Sequence, residues 1–275
     1  MKPGVLVISH GSRDAGWVSL VDAAVVAASS RCAEHVREQV GMEVPVVSSF
    51  LEIVENRLIQ DGIDDLERQG VTDIFVVPLF VSSGSTHVDE IAQAFGYPSI
   101  ADGFCGDLGT FRTSANITYG RPMDDAPEVI ELLLDNLSEL SVRPSEEALL
   151  LIGHGSEEPV FRERWQRGLS RLAERLCDLG GFARADYALL LPDEASRKLT
   201  ALQSAQPDEP IIVVPLFLSQ GYFTNHVIPA RLAGLAYRYN GSAMLPHPAI
   251  ERWIERHIGC WLSGFISQRN EEGAM

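Results

Sequence analysis

Cysteine is scarce in this sequence of 275 residues. There are four, Cys32, Cys105, Cys177 and Cys260, widely spaced and with no Cys-x-x-Cys pair. That pattern excludes a disulfide framework and a thiolate-built zinc or iron–sulfur centre, and it leaves reduced thiols as the expectation. Basic residues are also few, 22 Lys and Arg against 38 Asp and Glu, for a formal charge of -16. A surface of that sign argues against nucleic acid or an anionic membrane as partner. No apolar run approaches the roughly 20 residues that span a bilayer. The opening Met-Lys-Pro-Gly lacks the charged, apolar and small-residue regions of a signal peptide, so a cytoplasmic, globular protein is expected. GxGxxG, P-loop and GxSxG motifs are missing, which removes the usual signals for dinucleotide, ATP or serine-hydrolase chemistry. The Arg-His-Gly of histidine phosphatases is missing too, because Ser9 and Gly153 precede the two His-Gly steps.

What the sequence does contain, it contains twice. Val-Leu-Val-Ile-Ser-His-Gly-Ser runs from Val5 to Ser12, and Leu-Leu-Leu-Ile-Gly-His-Gly-Ser runs from Leu149 to Ser156. Ile74 to Phe80 ends in Pro-Leu-Phe, as does Ile211 to Phe217. Each of these leads into a turn that carries a histidine, His87 or His226. Such a repeat is the mark of an internal duplication.

In the first half, apolar runs predict buried parallel strands at Val5–Ser9, Val44–Leu51, Ile74–Val81 and Asn116–Arg121. Helical spacing predicts helices from about Asp14 to Val40, and over Ile53–Gln69, Val88–Phe95 and Ala126–Leu140. The second half repeats the order. Strands are expected at Ala148–Ile152, Ala185–Leu191 and Ile211–Leu218, with helices at Pro159–Leu179, Ala195–Gln203 and Ala249–Phe265. Strand alternating with helix predicts an α/β fold of two similar domains, each a mainly parallel sheet flanked by helices. The boundaries are drawn at 1–143 and 147–268, joined by the polar stretch Ser141–Glu147.

His10 follows a buried strand at a glycine turn, and His87 ends the turn Ser82–Thr86 after another strand. In a parallel sheet both fall on the C-terminal edge, where open α/β sheets build their sites. Glu52 ends the strand between them in sequence. Two imidazoles and a carboxylate, with coordination positions left open, suit a borderline divalent cation such as cobalt, iron, nickel or zinc. The second half keeps His154 and His226, but aligning the Pro-Leu-Phe motifs sets Leu189 opposite Glu52. A gap could bring Asp193 or Glu194 near. The first half is therefore expected to hold the metal. The second is expected to close the cleft or hold the substrate, with a second metal site as the alternative. His35 is read as a solvated helix face, His247 as structural, and His257 as a helix residue among charges.

Ser9-His10-Gly-Ser-Arg-Asp14, Phe50-Leu51-Glu52, Val77-Pro-Leu-Phe80 with Gly84 and His87, and the second set at Gly153–Ser156 and Val214–Leu218 resemble the class II tetrapyrrole chelatases. The likeness is to their two-domain sirohydrochlorin cobaltochelatase/ferrochelatase form, and it spans nearly the whole chain. It implies two α/β domains facing a tetrapyrrole cleft. It also implies that His10 and His87 bind the incoming metal, assisted by Glu52. The chain departs from the family in its Gly84-Ser-Thr-His87 turn, where the family has Gly-x-His, and in lacking the Asp-Ile-Pro that follows. The implied reaction inserts Co²⁺ or Fe²⁺, with Ni²⁺ a further candidate, into sirohydrochlorin or a related tetrapyrrole, for cobalamin or siroheme biosynthesis. It needs no organic cofactor. Ser12, Arg13, Ser83, Gly84, Ser85, His154 and His226 are the expected substrate contacts, with Arg112 and Arg121 as further cations. Backbone N–H groups of the Ser82–Thr86 turn and of the helix start after Ser12 are further candidates to receive substrate carboxylates. A non-catalytic metal or tetrapyrrole carrier, or an enzyme acting on another small molecule with this fold, are the competing readings. The duplication allows a monomer or a homodimer.

Overall fold

The computed structural model describes residues 1–40 and 43–273; side chains are described except at 33–40 and 268–273. His35 lies outside the described side chains. Two compact units divide the chain. One comprises Met1–Phe80, His87–Pro122 and Ile250–Met275; the other comprises Val81–Thr86 and Met123–Ala249.

In the first unit β1 (Pro3–Ser9) is flanked by β2 (Val46–Phe50) and β3 (Asp73–Pro78), and β4 (Asn116–Tyr119) pairs with β3. All pairs are parallel. Every residue of β1 and β3 is buried, whereas β4 alternates between exposed and half-buried, as an edge strand does. A continuous apolar run is what a central parallel strand covered on both faces requires. The helices are α1 (Ala15–Val40), α2 (Ile59–Arg68) and α3 (Thr86–Ala94). Leu6, Ile8, Ile63, Leu66, Ile74, Val76 and Ile91 form one continuous core. Truncating one of these leucines or isoleucines to alanine costs about 2–5 kcal/mol in such a core.

The second unit holds α4 (Pro127–Ser138), β5 (Ala148–Gly155), α5 (Pro159–Gly180), β6 (Arg184–Leu191), α6 (Ala195–Ala205) and β7 (Ile211–Pro215). A π-helical turn, Phe223–Val227, runs into the short α7 (Ile228–Arg231). Its sheet has the order β6-β5-β7, again parallel.

The compact units do not follow the boundaries drawn from the repeat. The last helix, α8 (Pro248–Gly273), belongs with the first unit. Trp261 stacks on Phe75 of β3 with centroids 5.2 Å apart, and Arg31 of α1 pairs with Glu251 and Glu255 at 2.8 and 3.0 Å. Conversely, α4 lies against α5 in the second unit, and Asn136 donates to the Ala243 carbonyl at 3.2 Å. Each sequence half thus sends its final helix to the unit built around the other half's sheet.

The helix expected over Ile53–Gln69 starts only at Ile59. Ile53 and Asn56 take φ values of 74° and 61°, in the left-handed region that breaks a helix. The bend is pinned by Arg57. Its guanidinium reaches both oxygens of Asp22 on α1 at 2.8 and 2.6 Å and lies over the Phe50 ring at 4.8 Å. The Arg57 hydrogen bond, opposed by partial burial and aided by Ser48, holds the Asp22 carboxyl below its ordinary range. A depressed carboxyl stabilises the fold above its unfolded pKa, and that contribution disappears as pH falls through the folded value. Asp22→Asn is therefore expected to lower the unfolding midpoint at pH 7. The gap from the parent should close below about pH 4, where an unperturbed aspartate protonates. Thermal unfolding followed at several pH values measures this.

Candidate metal centre

His10 stands one residue past β1. The ladder to β2 continues beyond both strands: Leu51 N–H donates to the Ser9 carbonyl at 2.8 Å and Glu52 N–H to the His10 carbonyl at 3.1 Å. This sets Glu52 beside His10. The approach requires Gly11, which has φ +103°; a Cβ there would overlap the Glu52 carbonyl. On the opposite side, Leu79 N–H bonds the Ile8 carbonyl at 2.7 Å and carries the chain past the end of β1. The chain then returns at α3, whose first turn bears His87.

The rings of His10 and His87 meet edge to face with centroids 4.9 Å apart. Glu52 Oε1 lies 3.7 Å from His10 Nε2. His87 Nδ1 lies 3.0 Å from Glu90 Oε2. His10, His87 and Glu52 are 41%, 39% and 55% exposed at their side chains, open enough for a ligand to reach them. The arrangement is two imidazole–carboxylate pairs joined by a ring contact. Among the described residues, no three His, Cys, Asp or Glu donors already close around one point. Small side-chain rotations are what the half-exposed groups would need to complete a shell. Glu90 was not anticipated from the sequence. The signal was available: His-x-x-Glu at the start of a helix places both side chains on one face.

The Ser12–Asp14 segment caps α1. Ser12 Oγ accepts from Asp14 N–H at 3.0 Å, and Asp14 Oδ1 accepts from Gly16 N–H at 2.8 Å. Arg13 is exposed. The turn before His87 falls in the second unit, and three of its amides are committed internally. Ser83 N–H donates to Asp124 Oδ1 at 2.7 Å, Gly84 N–H to Ser82 Oγ at 3.0 Å, and Ser85 N–H to the Ser82 carbonyl at 3.1 Å. Ser83, Gly84 and Ser85 N–H are therefore already engaged within the protein, in contrast to the expectation that they receive substrate carboxylates. Burial pushes the Asp124 carboxyl up from its ordinary value, against the pull of the Ser83 hydrogen bonds. Gly84 instead leaves room for α5, since a Cβ there would fall 2.5 Å from Trp165 and 2.6 Å from the Phe161 carbonyl. Arg112 pairs with Asp64 at 3.8 Å, and Arg121 is exposed.

The second unit repeats the backbone and changes the chemistry. His154 follows the pattern of His10, with Nδ1 3.2 Å from the Gly155 carbonyl, against 3.3 Å from His10 Nδ1 to the Gly11 carbonyl. Gly155 pairs in register with Leu191, and a Cβ on Gly155 would overlap the Leu191 carbonyl, as at Gly11 and Glu52. Leu191, not Leu189, is therefore the counterpart of Glu52; the Pro-Leu-Phe alignment misses it because the intervening segments differ in length. Asp193 pairs with Arg231 at 3.3 Å and caps Ala195, while Glu194 accepts from Leu189 N–H and pairs with Arg197. Beside His154 sits Phe223, edge to face at 5.1 Å, in the place that His87 takes beside His10. His226 is exposed, with Tyr222 as a ring neighbour at 5.9 Å. A leucine and a phenylalanine thus stand where the first unit has a carboxylate and an imidazole. His247 pairs with Asp135 at 3.3 Å and accepts from Ala249 N–H, a structural role; His257 packs on Trp253 at 4.1 Å.

A family model described as CbiX matches the chain twice, over residues 4–140 and 148–260. The sirohydrochlorin ferrochelatase of Bacillus subtilis (strain 168) is 28% identical over 182 residues, 64% of this chain and 59% of that protein. A probable sirohydrochlorin cobaltochelatase of Halobacterium salinarum is 33% identical over 92 residues, 31% of this chain and 27% of that protein. The chain thus spans less than two thirds of the length of either relative. Among solved structures, SirB from Bacillus subtilis with Fe3+ superposes with a TM-score of 0.68 at 23% identity, covering 94% of each chain. A CbiX described as the terminal enzyme for biosynthesis of siroheme in denitrifying bacteria superposes with a TM-score of 0.57 at 17% identity, covering 94% of this chain and 99% of that one. These two likenesses are likenesses of fold.

Proposed function

The chain belongs to the CbiX family, and from that premise we propose that it inserts a divalent metal, Co²⁺ or Fe²⁺, into sirohydrochlorin. The observation that carries the reading is the meeting of His10 and His87, 77 residues apart in sequence (87 − 10), at 4.9 Å beside Glu52. In this reading His10, His87 and Glu52 bind the ion as substrate, exchanging part of its water shell for two imidazoles and a carboxylate. Neutral imidazole and carboxylate together suit borderline divalent ions.

Insertion must remove two protons from the pyrrole nitrogens as the metal enters. Imidazole exchanges protons in the cellular pH range, so a histidine that releases the ion is placed to accept one of them. Glu52 or solvent takes the other. No redox change and no organic cofactor enter this balance. Ser12 and Arg13, beside His10, are assigned to the substrate's carboxylates, as are the Ser83 and Ser85 hydroxyls. His154 and His226 are assigned to substrate contact, since Leu191, not a carboxylate, takes the register position of Glu52. One tightly bound Co²⁺ per chain is the expected stoichiometry, and titration to two equivalents at equal affinity would contradict it. The site of action is assigned to the cytoplasm; all four cysteines are free, and among the described residues no helix is long and apolar enough to cross a membrane.

The test is optical. Sirohydrochlorin is mixed with Co²⁺, Fe²⁺ or Ni²⁺, with and without protein at one hundredth the substrate concentration, and the metallated absorption band is followed. Conversion of many equivalents faster than the spontaneous reaction supports the proposal. One equivalent bound without turnover would favour a carrier.

A further inference from the structure

Resting on the assignment of His10, Glu52 and His87 as metal ligands, we infer that Glu90 is a positioning residue that sets which nitrogen His87 offers to the metal. Glu90 Oε2 lies 3.0 Å from His87 Nδ1. A carboxylate can only accept here, so Nδ1 carries the hydrogen and Nε2 keeps the lone pair. His10 is fixed in the same sense by a different acceptor, the Gly11 carbonyl 3.3 Å from its Nδ1. Both imidazoles therefore present Nε2, and it is His10 Nε2 that faces Glu52 at 3.7 Å. A carboxylate behind a ligating histidine fixes its tautomer and makes the ligand nitrogen more basic.

The position of Glu90 is built into the fold. Its side chain is 18% exposed, less than half the 39% of His87. Gly106 backs it directly: a Cβ there would fall 2.7 Å from Glu90 Cγ and 3.0 Å from its Cβ. Gly106 N–H donates to Gln93 Oε1 at 3.4 Å, and Gln93 Nε2 donates to Asp89 Oδ2 at 2.9 Å. Asp89 is itself buried and accepts from Ser99 Oγ and Ile100 N–H at 2.8 and 3.0 Å. The segment that covers Glu90 is thus tied to the helix that carries it.

The experiment uses the full chain and Co²⁺ alone, with no tetrapyrrole. Glu90→Ala is expected to weaken Co²⁺ binding about 10- to 100-fold, the usual effect of losing such a partner. Glu90→Gln, which keeps an acceptor and loses the charge, should fall between Ala and the parent. Nitrogen-15 NMR of the metal-free protein should show His87 as the Nδ1–H tautomer in the parent and as a mixture in Glu90→Ala. Gly106→Val, which displaces Glu90 without altering it, should reproduce the Ala result. Should Glu90→Ala fail to fold, Glu90→Gln with the NMR readout decides alone. Parental Co²⁺ affinity together with an unchanged His87 tautomer in the variants would overturn the inference. Because no tetrapyrrole is present, this outcome is separate from the insertion reaction: Glu90-dependent Co²⁺ binding without metallation would sink the proposed function and leave this inference standing.

Discussion

If the proposed insertion reaction runs at this site, His10→Ala and His87→Ala are each expected to reduce it by about 10²- to 10⁴-fold, the range associated with losing a positioned proton acceptor, before loss of a metal ligand is added. Both side chains are part-exposed and lie at the end of the sheet, outside the apolar core around Leu6, Ile8 and Ile74. Neither truncation opens a cavity in that core, so unfolding midpoints should stay near the parent's. His154→Ala is the informative contrast. It removes an imidazole from the same kind of strand end, but from one where Leu191 takes the register position of Glu52 and Phe223 lies edge to face with the ring. Its expected effect falls on KM for the tetrapyrrole and leaves the bound-metal stoichiometry intact. Steady-state kinetics with Co²⁺ and sirohydrochlorin separates the two. Full activity in both His10→Ala and His87→Ala would reject the site.

Gly11→Ala should be nearly as damaging through a different route. At φ +103° an alanine is strained in any surroundings, and here its Cβ would also overlap a backbone carbonyl, which cannot rotate away. Relief requires parting the end of β1 from the Glu52 segment, breaking the Leu51–Ser9 and Glu52–His10 backbone hydrogen bonds that set Glu52 beside His10. Gly70 and Gly96 provide the controls. They have φ of +81° and +87° and nothing within 4 Å of a would-be Cβ. Alanine there costs about 1–2 kcal/mol, the left-handed penalty alone. We therefore expect Gly11→Ala to lose Co²⁺ binding and insertion, while Gly70→Ala and Gly96→Ala lose only stability. Denaturant unfolding and Co²⁺ titration of the three variants give the comparison. Equal behaviour of all three would show that the contact between Gly11 and Glu52 does not shape the site.

The parts of the molecule that could be read from the sequence are those written in continuous apolar runs. β1, β3 and β7 are buried along their lengths, and β5 everywhere but at His154, so they are recognisable as continuous apolar runs, and the two His-Gly-Ser steps fall at strand ends, where glycine follows each histidine. The duplication itself was visible because it repeats both strand and turn. What was hidden depended on partners remote in sequence. Helical periodicity continues smoothly through Ile53 and Asn56, and only the Arg57–Asp22 anchor shows why the chain turns there. The exchange of α4 and α8 leaves no trace in local patterning, since an apolar helix face is equally satisfied on either sheet. The residue opposite Glu52 in the second half is misplaced by two residues when the Pro-Leu-Phe motifs are aligned, at Leu189, whereas the strand register puts Leu191 there. Phe223 carries no signal of its own in the sequence, where His226, three residues further on, is the side chain with metal-binding chemistry. Glu90 is not marked by a strand end as Glu52 is, since it lies on the same helix as His87.

The most direct test of the account is cobalt-edge X-ray absorption on the protein loaded with one equivalent of Co²⁺. A nitrogen- and oxygen-bound ion is expected, with the multiple-scattering signature of two imidazoles, falling to one in either His10→Ala or His87→Ala and unchanged in His154→Ala. A cobalt ion with no imidazole in its shell, or one whose imidazoles survive both first-unit substitutions, would contradict it.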